Sequence, residues 1–204
     1  FATSFQKMYP NANILVANKE DLGKGKRQLF LNKISTGNWD AVVMAQSTFD
    51  NMASDPNVER AFIQDQLDLL EESIREEGGE GAGTPTVKQL VRTKKALKKR
   101  FDDLIGSRSK KEDNVTFEEL GADALFLDEA HAYKKPTFTT KLSQLVGLNT
   151  EASARSLATT IKVRSIQGAH NGRNVILATG TPVTNTLGEA WHMVNYVSPA
   201  TNAA

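Results

Sequence analysis

Ala-Leu-Phe-Leu-Asp-Glu-Ala-His, residues 124–131, places four apolar residues directly before two adjacent carboxylates and a histidine. A short, wholly apolar run predicts a strand that is buried on both faces, as in a parallel sheet. Such a strand carries the residues that follow it to the carboxyl edge of the sheet, where open α/β folds bind their ligands. We therefore expect Asp128, Glu129 and His131 to lie at a ligand-binding edge.

The two carboxylates suit a hydrated magnesium ion that is bound to nucleotide phosphates. Buried carboxylates need a partner, because an unpaired buried charge is costly. Mg²⁺ accepts one or two protein carboxylates and completes its shell with water and phosphate oxygens. In phosphoryl transfer, one Asp after a strand holds the metal and a neighbouring side chain positions the attacking water. Asp128 fits the first role and Glu129 the second; the simpler alternative is a strand that ends in a solvated acidic turn.

A second apolar run, Asn174 to Ala178, precedes Thr-Gly-Thr-Pro-Val-Thr-Asn-Thr-Leu-Gly-Glu-Ala-Trp at residues 179–191. Taken with Leu-Asp-Glu-Ala-His, this pattern resembles motifs two and three of the Swi/Snf-type ATPases of helicase superfamily two, a DEAH-box family. The second pattern specifies the residue type at many of its positions. The order and separation of the two motifs also agree with that family.

The resemblance implies an α/β fold, namely a RecA-like parallel sheet flanked by helices, present here as an incomplete first lobe. It implies ATP and Mg²⁺ as ligands, duplex DNA as the track, and a second RecA-like lobe of the same polypeptide as a partner. The implied catalytic residues are Asp128, which would hold Mg²⁺ through its water shell, Glu129, which would orient and deprotonate the attacking water, and His131. The implied coupling motif consists of Thr179, Gly180, Thr181 and Asn185. Together with Thr179 and Thr181, His131 would couple the nucleotide state to DNA contact and lobe closure.

Three further features resemble bacterial versions of these ATPases that are carried by phages and conjugative elements. They are the long charged insertion before motif two, its exit at Val115 to Glu118, and the segment Gly147-Leu148. Those versions are often fused to adenine-specific DNA methylases. The resemblance therefore implies a cytoplasmic bacterial protein with a fused DNA methylase domain as a further partner.

The composition of the 204 residues is that of an ordinary soluble globular protein, with 39% hydrophobic and 24% charged residues. The net charge of +1 does not by itself indicate a nucleic-acid binder. The sequence has no cysteine, which excludes disulfides and thiolate metal sites. No apolar run is long enough to predict a membrane span.

The beginning of the chain predicts a helix over residues 1–9 and a strand over residues 13–17. Gly25-Lys26 follows this strand, but the phosphate-binding P-loop pattern needs Gly at position 20 and Ser or Thr at position 27. Those positions are Glu20 and Arg27, so we interpret this segment as a basic surface loop. Because the sequence starts at Phe1 without such a loop, we expect a fragment of a longer protein that is inactive alone.

The next predicted strand, from Trp39, ends in Gln46, Ser47 and Thr48. This segment resembles a nucleic-acid-facing motif of the same family, and short hydrogen-bonding side chains at a strand end suit phosphate oxygens. The alternative is a simple helix cap, and the sequence does not decide between the two.

Residues 50–114 predict an antiparallel helical hairpin that is inserted between two strands of the sheet. Apolar positions recur at heptad-like spacing on two helices, which we expect to bury mainly against each other. They are Ile63, Leu67, Leu70 and Ile74 on the first helix and Val87, Leu90, Leu97, Phe101 and Leu104 on the second, with Lys94 in the stripe. Residues 57–77 carry 7 acidic and 2 basic side chains, and residues 86–105 carry 7 basic and 2 acidic ones. This asymmetry favours pairing of the helices, and the alternative is a lever or a contact for DNA or a partner.

The domain organisation follows from these elements. Residues 1–49 would form the first part of the lobe, residues 50–114 the hairpin, and residues 115–204 the second part with both motifs. Thr116 with Glu119, and Thr186 with Glu189, have the spacing of helix capping boxes. The predicted function is the motor of an ATP-dependent DNA helicase or translocase. The alternative is a non-catalytic nucleic-acid or protein-binding scaffold derived from such a lobe.

Overall fold

The computed structural model describes a mixed α/β protein. The described residues are 1–18, 21, 26–80, 84–106, 115–133, 154–184 and 187–198. The chain divides into two compact units, the first comprising Phe1–Ala53 with Asp113–Ala122 and the second Ser54–Glu112 with Asp123–Ala204. Among the described helices, none is long and apolar enough to cross a membrane.

The first unit is built around a short parallel pair of strands. Its elements are α1 (Ala2–Met8), β1 (Ile14–Val16), α2 (Arg27–Thr36), β2 (Ala41–Val43), α3 (Gln46–Asp50) and a 3-10 turn (Glu118–Leu120). β1 and β2 are parallel, with Leu15 opposite Val42. The capping box predicted at Thr116 is present in part, since the backbone N–H of Thr116 donates to Glu119 Oε2 at 2.7 Å.

A close approach of Gly37 and Trp39 fixes the end of α2. Trp39 Nε1 donates to the backbone oxygen of Lys33 at 2.9 Å, which satisfies a carbonyl in the last turn of the helix. This folds the indole back over Gly37, where an added Cβ would lie 2.0 Å from Trp39 Nε1. Only glycine fits at this position without moving the indole.

The second unit contains the helical hairpin and both motifs. Its elements are α4 (Pro56–Glu76), α5 (Pro85–Gly106), β3 (Leu125–Leu127), a 3-10 turn (Ala130–Tyr133), α6 (Ala154–Ala169), β4 (Val175–Leu177) and α7 (Leu187–Val197). α4 begins at a capped end, because Asp55 Oδ1 accepts the backbone N–H of Asn57 at 2.7 Å and Pro56 is the first helical residue.

The hairpin stripes pack against each other as the heptad-like spacing predicts. One buried cluster joins Ile63, Leu67, Leu70 and Ile74 of α4 to Leu90 and Leu97 of α5, and it also includes Leu157 and Ile161 of α6. The participation of α6 was not predicted. The hairpin therefore shares its core with the helix that precedes β4.

β3 and β4 form a parallel pair, which agrees with the prediction that the apolar run before Asp128 belongs to a parallel sheet. Phe126 lies opposite Ile176, so their side chains share one face. The prediction that β3 is buried on both faces is wrong, because Phe126 is 71% exposed and Ile176 is 46% exposed. Leu127, on the other face, is buried. α6 and α7 both contact β4.

A buried polar network connects α6 to α7. Arg164 donates from Nη1 to Gln167 Oε1 at 2.6 Å and from Nη2 to the backbone oxygen of Asn195 at 2.9 Å. Burial lowers the pKa of the Arg164 guanidinium to about 10, so this group stays charged at neutral pH. The hydroxyls of Thr160 and Tyr196 lie 3.2 Å apart, and burial raises the pKa of the Tyr196 hydroxyl well above its usual range.

Candidate functional site

The two motifs meet where β3 and β4 end. Ala178 donates its backbone N–H to Leu127 at 2.8 Å, and Ala130 donates to Ala178 at 2.9 Å. The first bond extends the parallel pairing by one residue, and the second joins Ala178 to a residue three positions beyond the end of β3. They place the segment that begins at Asp128 beside the segment that begins at Thr179, as expected for the carboxyl edge of a sheet.

Glu129 has an unusual backbone conformation. Its φ of 50° lies in the left-handed region, which a residue with a Cβ seldom occupies. The turn at Asp128 and Glu129 lets the chain leave β3 and enter the 3-10 turn at Ala130, whose side chain is 1% exposed. Such strain is tolerated only where the surroundings impose it, and it is frequent at functional sites.

The 3-10 turn that carries His131 is anchored from its far end. Tyr133 is 1% exposed, and the guanidinium of Arg155 lies 4.9 Å from the centre of its ring. A cation over the face of a buried aromatic ring is a favourable contact. This contact attaches the turn to α6.

His131 connects the carboxylate pair to the second motif. Its Nδ1 lies 3.1 Å from Glu129 Oε2 and 3.3 Å from Thr179 Oγ1. Because an ionised carboxylate only accepts, a hydrogen bond to Glu129 requires a proton on Nδ1. Thr179 Oγ1 also accepts the backbone N–H of Thr181 at 3.1 Å. The three side chains thus form one chain of contacts, Glu129 to His131 to Thr179, which also holds the turn of the Thr-Gly-Thr segment.

The acidic side chains are open to solvent. The side chain of Glu129 is 63% exposed, that of His131 is 44% exposed, and Asp128 is also exposed. The expectation that burial forces these carboxylates to take a partner is therefore wrong for this structure. Over the described ranges, no group of three or more His, Cys, Asp or Glu side chains could hold a metal ion.

The remaining residues of the predicted coupling motif are only partly described. Gly180 is exposed and has open space where a Cβ would be. Asn185 and Thr186 lie outside the described residues, so the capping box predicted at Thr186 is not tested. Glu189 Oε2 accepts the backbone N–H of Thr184 at 2.6 Å, which connects Thr184 to the first turn of α7.

The three candidate nucleic-acid-binding residues, Gln46, Ser47 and Thr48, lie in the first turn of α3 in the first unit. Ser47 is exposed, Gln46 is half-buried and Thr48 is 5% exposed. The N-cap residue of α3 is Ala45, without a side-chain hydrogen bond, so none of the three serves as the helix cap. Their role in nucleic-acid binding stays a prediction.

Sequence reasoning missed two features of the site. The left-handed conformation of Glu129 could not be predicted, because glutamate seldom adopts a positive φ. The bond from Thr181 N–H to Thr179 Oγ1 has a signal, since threonine hydroxyls commonly accept from the backbone two residues ahead in turns.

Comparison with known proteins identifies the family to which the chain belongs. The chain belongs to a family of probable helicase domains, whose model matches residues 1–204. A particular relative is the defense against restriction protein B of Escherichia phage P1, which is 38% identical over 87 residues. The match covers 41% of this chain and 4% of the phage protein, so it spans a small part of that relative. No solved structure matches the chain.

Proposed function

We propose that this chain is part of the motor of an ATP-dependent DNA helicase or translocase of the Swi/Snf type. It would supply the Mg-ATP hydrolysis motif and the coupling motif within an incomplete first RecA-like lobe. The observation that carries the proposal is the chain of contacts from Glu129 through His131 to Thr179. Membership of a helicase-domain family supports it.

The donor set fits magnesium bound to a nucleotide. Asp128 and Glu129 offer hard carboxylate oxygens that are exposed at the end of a strand. Mg²⁺ needs only one or two such groups, because it keeps several waters and binds phosphate oxygens. Asp128 would hold the ion through its water shell, and the bound ion would supply charge neutralisation of the phosphates.

Glu129 would act as the general base. Its exposed carboxylate can orient a water molecule and accept the proton that the water loses on attacking the terminal phosphate. His131 Nδ1 lies within 3.1 Å of that carboxylate, so a hydrogen bond there would hold Glu129 in one orientation. When the charge or position of Glu129 changes during hydrolysis, His131 would shift its hydrogen bonding between Glu129 and Thr179.

Thr179 would pass this change to the coupling motif. Its hydroxyl contacts both His131 and the backbone of Thr181, so a movement of His131 alters the turn that follows β4. Gly180 would give that turn its freedom, and Asn185 would complete the motif. Gln46, Ser47 and Thr48 would contact DNA phosphates.

The proposed partners follow from the same assignment. They are duplex DNA, a second RecA-like lobe of the same polypeptide and a fused DNA methylase domain, in the cytoplasm of a bacterium. The division of the chain at residues 49 and 114 stays a prediction. A relative encoded by a phage agrees with an origin in a mobile genetic element.

The proposal is tested by measuring phosphate release from ATP by the longer protein that contains this chain, with and without duplex DNA and Mg²⁺. We expect hydrolysis that requires Mg²⁺ and is stimulated by DNA. The 204-residue chain alone should bind ATP weakly and release no phosphate. A longer protein that binds DNA but never hydrolyses ATP would support the non-catalytic scaffold instead.

A further inference from the structure

The solvent face of α5 carries a stripe of cations. Lys88, Arg92, Lys95 and Lys99 follow one another at spacings of 4, 3 and 4 residues, and all four are exposed. Residues at these spacings lie on one face of a helix. At a rise of 1.5 Å per residue, the stripe is about 16 Å long. We call these four residues the α5 stripe.

Pairing between the hairpin helices does not account for the stripe. One α5 cation, Lys94, bridges to α4, with Nζ 3.2 Å from Glu71 Oε1 and 3.0 Å from Glu80 Oε1 in the connection. Hydrogen bonds to Glu80 and Glu71 raise the pKa of the Lys94 ammonium. Within the described part of the chain, the side chains of the α5 stripe make no ion pair or hydrogen bond.

The chemistry of this face fits a phosphate backbone better than a protein surface. Protein interfaces rely on apolar and aromatic anchors at their centre. Of the described α5 side chains, no large apolar one is exposed, and the stripe is flanked by Gln89, Ala96 and Lys98. Phosphate contacts need cations and no apolar anchor, and duplex DNA presents a negative charge about every 1.7 Å along its axis.

We propose that the α5 stripe is a nucleic-acid contact that binds the phosphates of duplex DNA without reading their sequence. It is separate from the motif residues at the ends of β3 and β4. The proposal rests on the proposed function only in its choice of DNA as the partner. Its expected role is to hold the track while the motor site passes through its nucleotide cycle.

The test is a salt titration of DNA binding. Fluorescence anisotropy would follow binding of the 204-residue chain to a labelled 30-base-pair duplex of arbitrary sequence between 50 and 200 mM salt. The stripe variant carries Lys88→Gln, Arg92→Gln, Lys95→Gln and Lys99→Gln. Glutamine retains good helix propensity, so circular dichroism should show an unchanged fold. We expect the slope of log affinity against log salt to become shallower by about 3, and affinity at low salt to fall by at least about 10-fold.

Two control variants distinguish the effect of the α5 stripe on DNA binding from the effect of net charge. Lys94→Gln, next to Lys95 on the same helix, removes a cation that is already engaged by Glu71 and Glu80, and it should leave the slope unchanged. A scattered variant with Lys7→Gln, Lys26→Gln, Arg75→Gln and Arg173→Gln loses the same four charges from exposed positions. Its slope should change by about 1 or less.

Several results would overturn the proposal. One is a stripe variant that binds DNA as the wild type does, and another is a scattered variant that is weakened as much as the stripe variant. If the stripe variant loses binding to polyglutamate but keeps DNA binding, the surface is a site for an acidic protein. If the wild-type chain binds no duplex at all, the stripe proposal fails, whereas the motor proposal is judged separately by hydrolysis in the longer protein.

Discussion

The Nδ1 atom of His131 lies 3.3 Å from the hydroxyl oxygen of Thr179, a residue 48 positions away in the sequence. This contact crosses from the exit of β3 to the exit of β4. It joins the acidic motif to the Thr-Gly-Thr motif directly through side chains. A change in the position of either strand exit would therefore alter this contact between His131 and Thr179.

The first prediction is that His131 and Thr179 act as a unit. In the longer protein, His131→Ala and Thr179→Val should each reduce the stimulation of ATP hydrolysis by DNA. The double variant should be little worse than either single variant, because both changes remove the same contact, with a coupling of at least about 0.5 kcal/mol. His131→Ala with Thr93→Val, a pair that shares no described interaction, should be additive. Additive losses for His131 and Thr179 would show that the contact does not transmit the effect.

The second prediction concerns the strained backbone of Glu129. At most positions glycine is less stabilising than alanine, but a left-handed φ of 50° reverses this order. Glu129→Gly should therefore be more stable than Glu129→Ala by about 1 kcal/mol in chemical denaturation. The same two substitutions at Asp128, whose φ is not positive, should rank in the usual order. If alanine is the more stable replacement at both positions, Glu129 is not strained.

The third prediction concerns the close approach of Gly37 to Trp39. Gly37→Ala should destabilise the chain by about 1–3 kcal/mol, because the new methyl group would displace the indole from its hydrogen bond to Lys33. Gly168→Ala is the matched control, since Gly168 lies in α6 with open space where the Cβ would be. That change should be neutral or stabilising. Thermal melts of both variants provide the measurement.

The fourth prediction concerns alkaline pH. Because burial raises the pKa of the Tyr196 hydroxyl, the folded chain keeps this proton above pH 10, where an unfolded tyrosine loses it. The associated stability is present below pH 10 and is lost as the pH rises further. Tyr196→Phe should cost about 1 kcal/mol at neutral pH and reduce this alkaline loss. Tyr9→Phe, at an exposed position, is the matched control for removal of a tyrosine hydroxyl.

Much of the local structure could be predicted from the sequence because periodicity and short motifs carry it. The apolar runs before Asp128 and Thr179 are strands, and they pair in parallel. The heptad-like stripes form two long helices, which pack on one another. These features depend on residues close together in the chain, where side-chain pattern and backbone structure are tightly linked.

Features that depend on distant packing could not be predicted. The exposure of Phe126 depends on which face of the strand pair is covered by other elements, and an all-apolar run does not encode that choice. Leu157 and Ile161 join the hairpin core through a tertiary contact that spacing within the hairpin does not reveal. The family resemblance implied that His131 and Thr179 share a role in coupling, but it did not imply a contact between them. The contact follows from the pairing of β3 with β4.

The most direct test of the proposed motor is the hydrolysis of ATP by Glu129→Gln in the longer protein. The substitution keeps the size and shape of the side chain but removes the basicity needed to accept a proton from water. DNA-stimulated turnover should fall by about 10²–10⁴. Nucleotide affinity should stay close to that of the wild type, since Glu129 is not expected to hold the metal directly. Asp128→Asn should instead weaken both Mg-ATP binding and turnover. Near-normal turnover by Glu129→Gln would contradict the account, because the carboxylate pair would then not be the hydrolytic centre.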